Sequence, residues 1–401
     1  MTTQTKNNPV MNQRPVHVTA GADRSNPIRI AHTETFFEGS AQPCRTSNAA
    51  FPSLVNCGNR TLLMAHRVGT EKNSADGTQY LWRSVDDGRT WSRIPFPLSP
   101  AENGLLREYR TAALSMIGEG RVGMLLTWLD HFDALSPLAN PETGGLIPLH
   151  IGWTESIDSG MSWAPIREIT VSPAVQPCGN GPMVRLPTGR LLAAFETYKH
   201  WDDPTPWSAQ SLVVASDDNG ETWKTPIVVA ADPEMNRFYW DHHLLVLNDG
   251  TLLDVCFSDD ARKPGVSDIY VTRSRDDGET WSTAAPTGIQ GQFSEVHQMP
   301  DGRLAIFYVV RTGNPSIRVR IGGADGQSWQ SDDALILHSQ QHDDLENSRN
   351  GDFSEYLDTM ASWTFGWPSA VRLTATEWLA AYYVGRGNQS SIRLSRLAVS
   401  P

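Results

Sequence analysis

The sequence is poor in the features that mark several large protein classes. Its 401 residues include only 4 cysteines, Cys44, Cys57, Cys178 and Cys256, none in a Cys-x-x-Cys spacing. Scattered in this way they read as reduced, buried thiols, not as a disulfide frame or a zinc site. No run of about 18 apolar residues occurs, so no spanning helix is expected. Basic residues are the minority charge, with Lys plus Arg at 33 against Asp plus Glu at 45, a formal net charge of −12. Nucleic acids and anionic membranes require a basic surface, so neither is an expected partner. Charged residues make up 19% and hydrophobic residues 39%, which excludes a disordered chain and leaves ample length for a large core. Residues 1–27 are polar and lack the apolar segment of a signal peptide. They are read as a flexible arm before a single domain at 28–401, and a cytoplasmic location is expected.

What is present in quantity is repetition. One octapeptide occurs four times, as SVDDGRTW ending at Trp91, SIDSGMSW at Trp163, SDDNGETW at Trp223 and SRDDGETW at Trp281. A degenerate copy, GGADGQSW, ends at Trp329, with Gly322 and Ala324 in place of the Ser and the first Asp. The intervals of 72, 60, 58 and 48 residues each suit one four-stranded sheet with its loops. Asp and Gly supply a tight turn, and the Trp covers the hairpin. Asp86, Asp158, Asp218 and Asp276 are therefore assigned to folding and not to catalysis.

A second, independent pattern is a turn followed by an apolar strand, as in CGNRTLLMAHR, PTGRLLAAFET and PDGRLAIFYVV. Their near-continuous apolar character fits strands buried on both faces. Six such hairpins predict an all-β, six-bladed β-propeller with four-stranded antiparallel blades. The last blade takes its outermost strand from the N-terminal IRIAHTETFF. Insertions at 131–149, 198–207 and 338–359 read as loops.

The octapeptide frame S-x-D-x-G-x-x-W at this spacing resembles the Asp-box repeat of the sialidase (neuraminidase) superfamily, and the resemblance extends from about Ile28 to Val399. It implies a six-bladed propeller and a carbohydrate-active function. That family clamps a carboxylate with three arginines and uses a tyrosine nucleophile paired with a glutamate, with an aspartate as acid/base. The stretch matching its first arginine is Ala50-Phe51-Pro52-Ser53-Leu54, which carries no arginine. The stretch matching its tyrosine is Gly366-Trp367-Pro368-Ser369-Ala370, with Trp in the tyrosine position. These departures imply an activity divergent from sialic acid hydrolysis.

In a propeller, the starts of the inner strands and the ends of the second strands converge on one mouth of the central channel. The carboxylates expected there are Asp241, Glu196, Asp130 and Glu295. They come from successive blades, so that pairs face across the channel, and glycoside hydrolysis needs one protonated and one ionised carboxyl. Arg110 offers a fork for a ligand carboxylate or hydroxyl. Arg67, Arg311 and Arg386 recur at equivalent places; they either reach substrate or pair with carboxylates across blades. His131, His242, His243 and His297 complete the polar rim, and Tyr198 and Trp367 are set to stack on sugar faces. Asp241, His243 and His297 form the best candidate metal set. No His-x-His or His-Glu-x-x-His spacing supports it, so no metal or other cofactor is expected.

The leading reading is an exo-acting glycoside hydrolase for an acidic or deoxy sugar. The first alternative is a polysaccharide or oligosaccharide lyase with a His or Tyr base and an Arg clamp on a uronate carboxylate. The second is a non-catalytic glycan-binding propeller. The partner in each is a small saccharide or glycan.

Overall fold

The structure, a computed structural model, describes residues 27–97, 104–171, 176–206, 209–234, 236–260, 262, 266–329, 334–340 and 363–400. The expected arm over 1–27 lies, except for Pro27, outside these residues, as does most of the 338–359 insertion. Among the described residues all regular structure is strand, and no helix is long and apolar enough to cross a membrane.

Strand β1 (Ile28–Phe37) is followed by β2 (Asn48–Gly58), β3 (Thr61–Gly69), β4 (Thr78–Ser84) and β5 (Ser92–Ile94). The next meander is β6 (Leu106–Gly118), β7 (Arg121–His131), β8 (Leu149–Ser156) and β9 (Arg167–Glu168). Then come β10 (Gln176–Cys178), β11 (Val184–Arg185), β12 (Leu191–Tyr198), β13 (Ser211–Ser216) and β14 (Ile227–Ala230). Two further meanders are β15 (Arg237–Val246), β16 (Leu252–Asp260), β17 (Ser267–Ser274) and β18 (Ala285–Gln290), and β19 (Gln292–Gln298), β20 (Leu304–Val310), β21 (Ser316–Gly322) and β22 (Leu335–Ser339). The chain ends with β23 (Phe365–Arg372), β24 (Glu377–Arg386) and β25 (Gln389–Val399).

Hydrogen bonding joins these strands in chain order within each antiparallel meander. The first meander and the last merge into one eight-stranded sheet through a single parallel pair, Asn48 with Ser390. As expected, β1 completes the last meander, pairing antiparallel with β25 from Ile28↔Val399 to Phe37↔Ile392. The first and last described strands are thereby fastened together. Inner strands touch in a closed circuit, β2 with β6, β6 with β11, β11 with β15, β15 with β19, β19 with β23 and β23 with β2. The sheets therefore stand radially around an axis, as in a β-propeller.

The four-strand pattern breaks in one meander, where the inner strand is split into β10 and β11. Pro182 has no N–H to give to a ladder. Gly181 lies so close to the next sheet that a Cβ there would sit 1.8 Å from the His242 carbonyl oxygen. The chain passes this point as a loop.

The octapeptides are turns, as their composition requires. Ser84 Oγ accepts the Gly88 N–H at 2.9 Å, and Asp86 Oδ1 accepts the N–H groups of Arg89 and Thr90 at 3.1 and 2.8 Å. Asp158 and Asp218 are held down at about 2 by the hydroxyls and N–H groups of Ser162 and Thr222. In the degenerate copy Asp325 takes over, accepting the N–H groups of Gln327 and Ser328 at 3.0 and 2.8 Å. Each turn also seals a sheet boundary. Gly220 has φ +74°, and a Cβ there would lie 2.1 Å from Cζ2 of the fully buried Trp153 in the preceding sheet. The Trp153 indole N–H donates to the Gly220 carbonyl at 3.2 Å. Gly220→Ala combines left-handed strain with overpacking, and is expected to cost on the order of 3 kcal/mol. Urea unfolding of the variant beside wild type measures this.

Candidate active site in the central funnel

The inner strands interrupt their ladders at equivalent places. Register shifts fall between Ala50 and Ser53, Tyr109 and Thr111, Trp240 and His243, Gln292 and Glu295, and Gly366 and Ser369. The split between β10 and β11, with Asn180 inside it, is the corresponding place in the remaining meander. Phe51, Asp241 and Trp367 at these points have φ of 54°, 50° and 51°, conformations that β-bulges allow and regular strand does not. A bulge re-aims a side chain. Phe51, Asn180, Asp241 and Trp367 are shared walls of two adjoining hollows, and Arg110 lines the second. The first hollow runs along the axis past His243, Glu295 and Ser369. The second opens past Lys72, Cys178, Tyr198, Trp240 and Trp363.

Two carboxyls meet at the boundary of adjacent sheets. Asn180 Nδ2 donates to Asp241 Oδ1 at 2.7 Å and to Glu196 Oε1 at 3.0 Å, and the Tyr198 hydroxyl lies 3.5 Å from the same Glu196 oxygen. Glu196 is 1% exposed, whereas Asp241 is partly open to the funnel. Burial, and then the nearby Asp241 carboxylate, push Glu196 up to about 8. Burial pushes Asp241 up to about 7 against the opposing pull of Asn180, His242 and Arg110. Like charges this close in a dry wall do not both ionise near neutrality, so the pair shares a proton. Asp241 and Glu196 are thus side by side and not facing across the channel, and Asp241 is the member that can touch a ligand.

Opposite charge enters the same hollow from other blades. Arg110 stands over the Phe51 ring at 5.4 Å, with Glu108 Oε1 3.4 Å away. Lys72, which the sequence did not single out, donates to the Trp363 carbonyl and the Tyr383 hydroxyl, both at 3.0 Å. Its ammonium lies 5.0 Å from the Tyr383 ring centre and 5.7 Å from that of Phe51. Burial and the neighbouring Arg311, Arg110 and Arg67 drive its pKa well down. The Gly-Thr-Glu-Lys-Asn-Ser segment looks like any polar turn, so nothing local marks Lys72. The bulges did carry a signal, since Pro52 and Pro368 fall directly after the re-aimed residues and interior strands rarely hold proline.

Several candidates are diverted to structural work. Arg67 is fully buried and bonds Glu108 Oε1 at 2.8 Å and the carbonyls of Glu71 and Ser74. His131, also fully buried, donates to the other Glu108 oxygen at 2.9 Å. Arg311 donates to Gln292 Oε1 and to the Phe365 carbonyl, tying two blades together. For Arg67 and Arg311 the cross-blade alternative is thus the one observed. Arg386 is exposed at the β24–β25 turn and lines neither hollow. Asp130 is gripped by Arg107 through two bonds of 2.8 Å, away from the other acids. Glu295 does reach the axial hollow, but its oxygens hold His297 Nε2 at 3.0 Å and accept the Ala370 N–H of the next blade at 3.1 Å. Ser53 and Ser369 do the same for the N–H groups of Leu114 and Leu54, so Glu295 occupies an inter-blade staple position.

His243 lines the axial hollow 6.1 Å from the His297 ring, and burial pushes it down to about 4. His242 also borders the axial hollow, but its imidazole is buried against Asp254 and Ser211. Tyr198 and Trp367 line the second hollow as expected, Tyr198 with its ring 5.5 Å from Trp240. Asp241, His243 and His297 are not gathered as a metal set. Among the described residues the one group of three donors within mutual reach is His242, Asp254 and Cys256, all buried.

Comparison with known proteins adds the following. Residues 138–376 match the BNR repeat-like domain family. No curated protein matches the chain. A crystal structure of a protein of unknown function from Dyadobacter fermentans superposes with TM-score 0.70 at 20% identity, over 93% of this chain and 99% of that one. The α-L-arabinanase of Penicillium chrysogenum, solved with arabinobiose, gives TM-score 0.62 at 13% identity, with 90% and 97% covered. The Trypanosoma rangeli sialidase, solved with the inhibitor DANA, gives 0.60 at 13% identity over 87% of this chain, which spans 55% of that protein. At these identities the likeness is one of fold.

Raised carboxyl pKa values carry a linkage. The folded protein keeps protons that the unfolded chain releases above about pH 4, so this site costs stability as pH rises toward 8. Glu196→Gln removes the cost. Its melting temperature is expected to match wild type near pH 4 and to exceed it by roughly 5 °C near pH 8. Thermal melts across that range check this; a pH-independent difference would show that Glu196 titrates as an ordinary carboxyl.

Proposed function

The chain belongs to the BNR repeat-like domain family, and from that premise we propose a carbohydrate-active enzyme, an exo-acting glycoside hydrolase for a sugar bearing a carboxylate. The scaffold is read as six blades, obtained by dividing the eight-stranded sheet at its single parallel pair, within one domain from residue 28 to the C-terminal end. The observation that carries the reading is the Asp241–Asn180–Glu196 arrangement, a proton-sharing carboxyl pair whose exposed member meets the funnel. It faces a hollow that Arg110 and Lys72 also line.

The roles follow from these positions. Arg110 receives the substrate carboxylate, and Lys72 adds a hydrogen-bonding amine on the same side. Tyr198 and Trp240, tilted by 37° at 5.5 Å, offer an apolar face to the ring. Asp241 gives the pair's one shared proton to the leaving oxygen as the glycosidic bond breaks, and the ionised pair then takes back a proton from the water that bonds to the anomeric carbon. Both carboxyls bond one amide nitrogen, so the bonded oxygens are no farther apart than those two bonds laid end to end. That is closer than the ~6.5–9.5 Å that places a water between the acids of inverting enzymes. The pair therefore acts as one acid/base unit. Saccharide ligands in the structures of the sialidase and arabinanase neighbours support a sugar in the funnel.

The same observation favours a second reading. A single acid/base unit beside a carboxylate clamp is what β-elimination from a uronate requires, with the ionised pair removing the proton next to the carboxylate. One panel of acidic oligosaccharides separates the two. Hydrolysis releases reducing sugar without a new chromophore, and elimination adds an ultraviolet-absorbing double bond. Asp241→Asn is expected to lower kcat at least about 10²-fold. Arg110→Ala is expected to weaken acidic substrates while sparing neutral ones. Turnover by Asp241→Asn at the wild-type rate would remove Asp241 from the chemistry.

A further inference from the structure

Beside the acid pair lies a second buried ionic group that the mechanism above does not use. The adjacent His242 borders the axial hollow and sets its imidazole in the boundary between two sheets. There His242 Nδ1 donates to Asp254 Oδ2 at 2.8 Å, and Ser211 Oγ lies 3.0 Å from the same nitrogen. His242 is 1% exposed, and Asp254, Ser211 and Cys256 are fully buried. Ser211 is the direct cross-strand partner of Glu196. Asp241 is covalently next to His242, and Gly181, beside Asn180, packs against the His242 carbonyl. The imidazole is thus tied by structure to all three members of the proton-sharing arrangement.

We propose that the His242–Asp254 pair is a positioning element that keeps a buried positive charge beside Glu196 and Asp241, so that the two carboxyls together hold one proton instead of two. This inference rests on the acid-pair reading above.

The electrostatics agree with the geometry. Burial works against a charged imidazole and the Asp254 carboxylate beside it works in favour, and His242 stays well above its ordinary value. His242 in turn pulls both Glu196 and Asp241 down, against the burial that raises them. The other groups facing the pair are accounted for. Arg110 also lowers Asp241, Asp259 raises it, and Cys178 and Tyr198 are neutral hydrogen-bonding neighbours of Glu196. Burial keeps the thiols of Cys178 and Cys256 protonated. Without the imidazolium, desolvation would leave both carboxyls neutral and the site without a base. A buried pair is costly to assemble and strongly disruptive to break on one side, and this one adjoins the acid pair.

The test reads protonation directly and needs no substrate. Infrared pH-difference spectra of the full chain follow the protonated carboxyl band, assigned by its loss in Glu196→Gln and Asp241→Asn. In His242→Gln the titration midpoint is expected to rise by about one pH unit, a tenfold gain in proton affinity. Asp254→Asn is expected to raise it in the same direction, and the double variant to add little more. A midpoint that ignores both changes overturns the inference. If the His242 variant does not fold, wild type labelled with [15N]histidine decides. One ring, identified by its shift change in Ser211→Ala, must remain an imidazolium above about pH 8, and a neutral ring there overturns the proposal. A wild-type protein with no protonated carboxyl above about pH 6 would instead overturn the acid-pair reading itself, so the two failures are distinguishable.

Discussion

The site depends on a break in the β-ladder, repeated at the same depth in inner strands around the ring. A regular inner strand alternates its side chains between its two sheet faces, and both faces are filled by neighbouring sheets. Only where the ladder skips a residue does a side chain turn toward the axis. Phe51, Asp241 and Trp367 hold left-handed backbone angles to do this. The strain is tolerable because closely packed sheets on both sides over-determine the position. Asn180 reaches the same place through a different device, a loop forced by Gly181 and Pro182.

Most charged groups at the mouth are consumed in holding these breaks in place. Arg67, Glu108 and His131 make a buried strut between the first two meanders, and Arg107 with Asp130 ties β6 to β7 within the second. Ser53, Ser369 and Glu295 each accept a backbone N–H from the adjacent inner strand, because inner strands meet with ladder groups that no strand partner satisfies. Subtracting these leaves a small functional remainder, with Asp241 and Glu196 on one side of the hollow and Arg110 with Lys72 on the other.

That remainder is polarised across the ring, between two sheet boundaries that are not neighbours. The carboxyl pair straddles the boundary where His242 and Asp254 are sealed, and the cations gather around Phe51, Trp363 and Tyr383. A ligand entering the funnel therefore meets a proton donor and a positive clamp from different directions. This is the disposition that acid/base chemistry beside a carboxylate requires.

The sequence by itself determined the ring. Turn residues and alternating burial are short-range properties, so Ser216, Asp218, Gly220 and Trp223 declare their hairpin without help from elsewhere. Closure by β1 was legible for the same reason, since an apolar N-terminal strand had one meander left to complete. It also pointed to Asp241, Arg110, Tyr198 and Trp367, which line the second hollow, and to Glu196, which is buried beside them. Which of them act was decided by tertiary structure alone. Glu295 and Asp130 looked equivalent to Asp241, but Ala370 reaches Glu295 only when sheets pack together, and the strand register that sets Arg107 opposite Asp130 had to be seen. Lys72 gained its place from Trp363 and Tyr383, about three hundred residues away in sequence. The physical reason is that protonation and ligand access follow from how much water a group loses and which charge replaces it, and both are set by neighbours that no local pattern encodes.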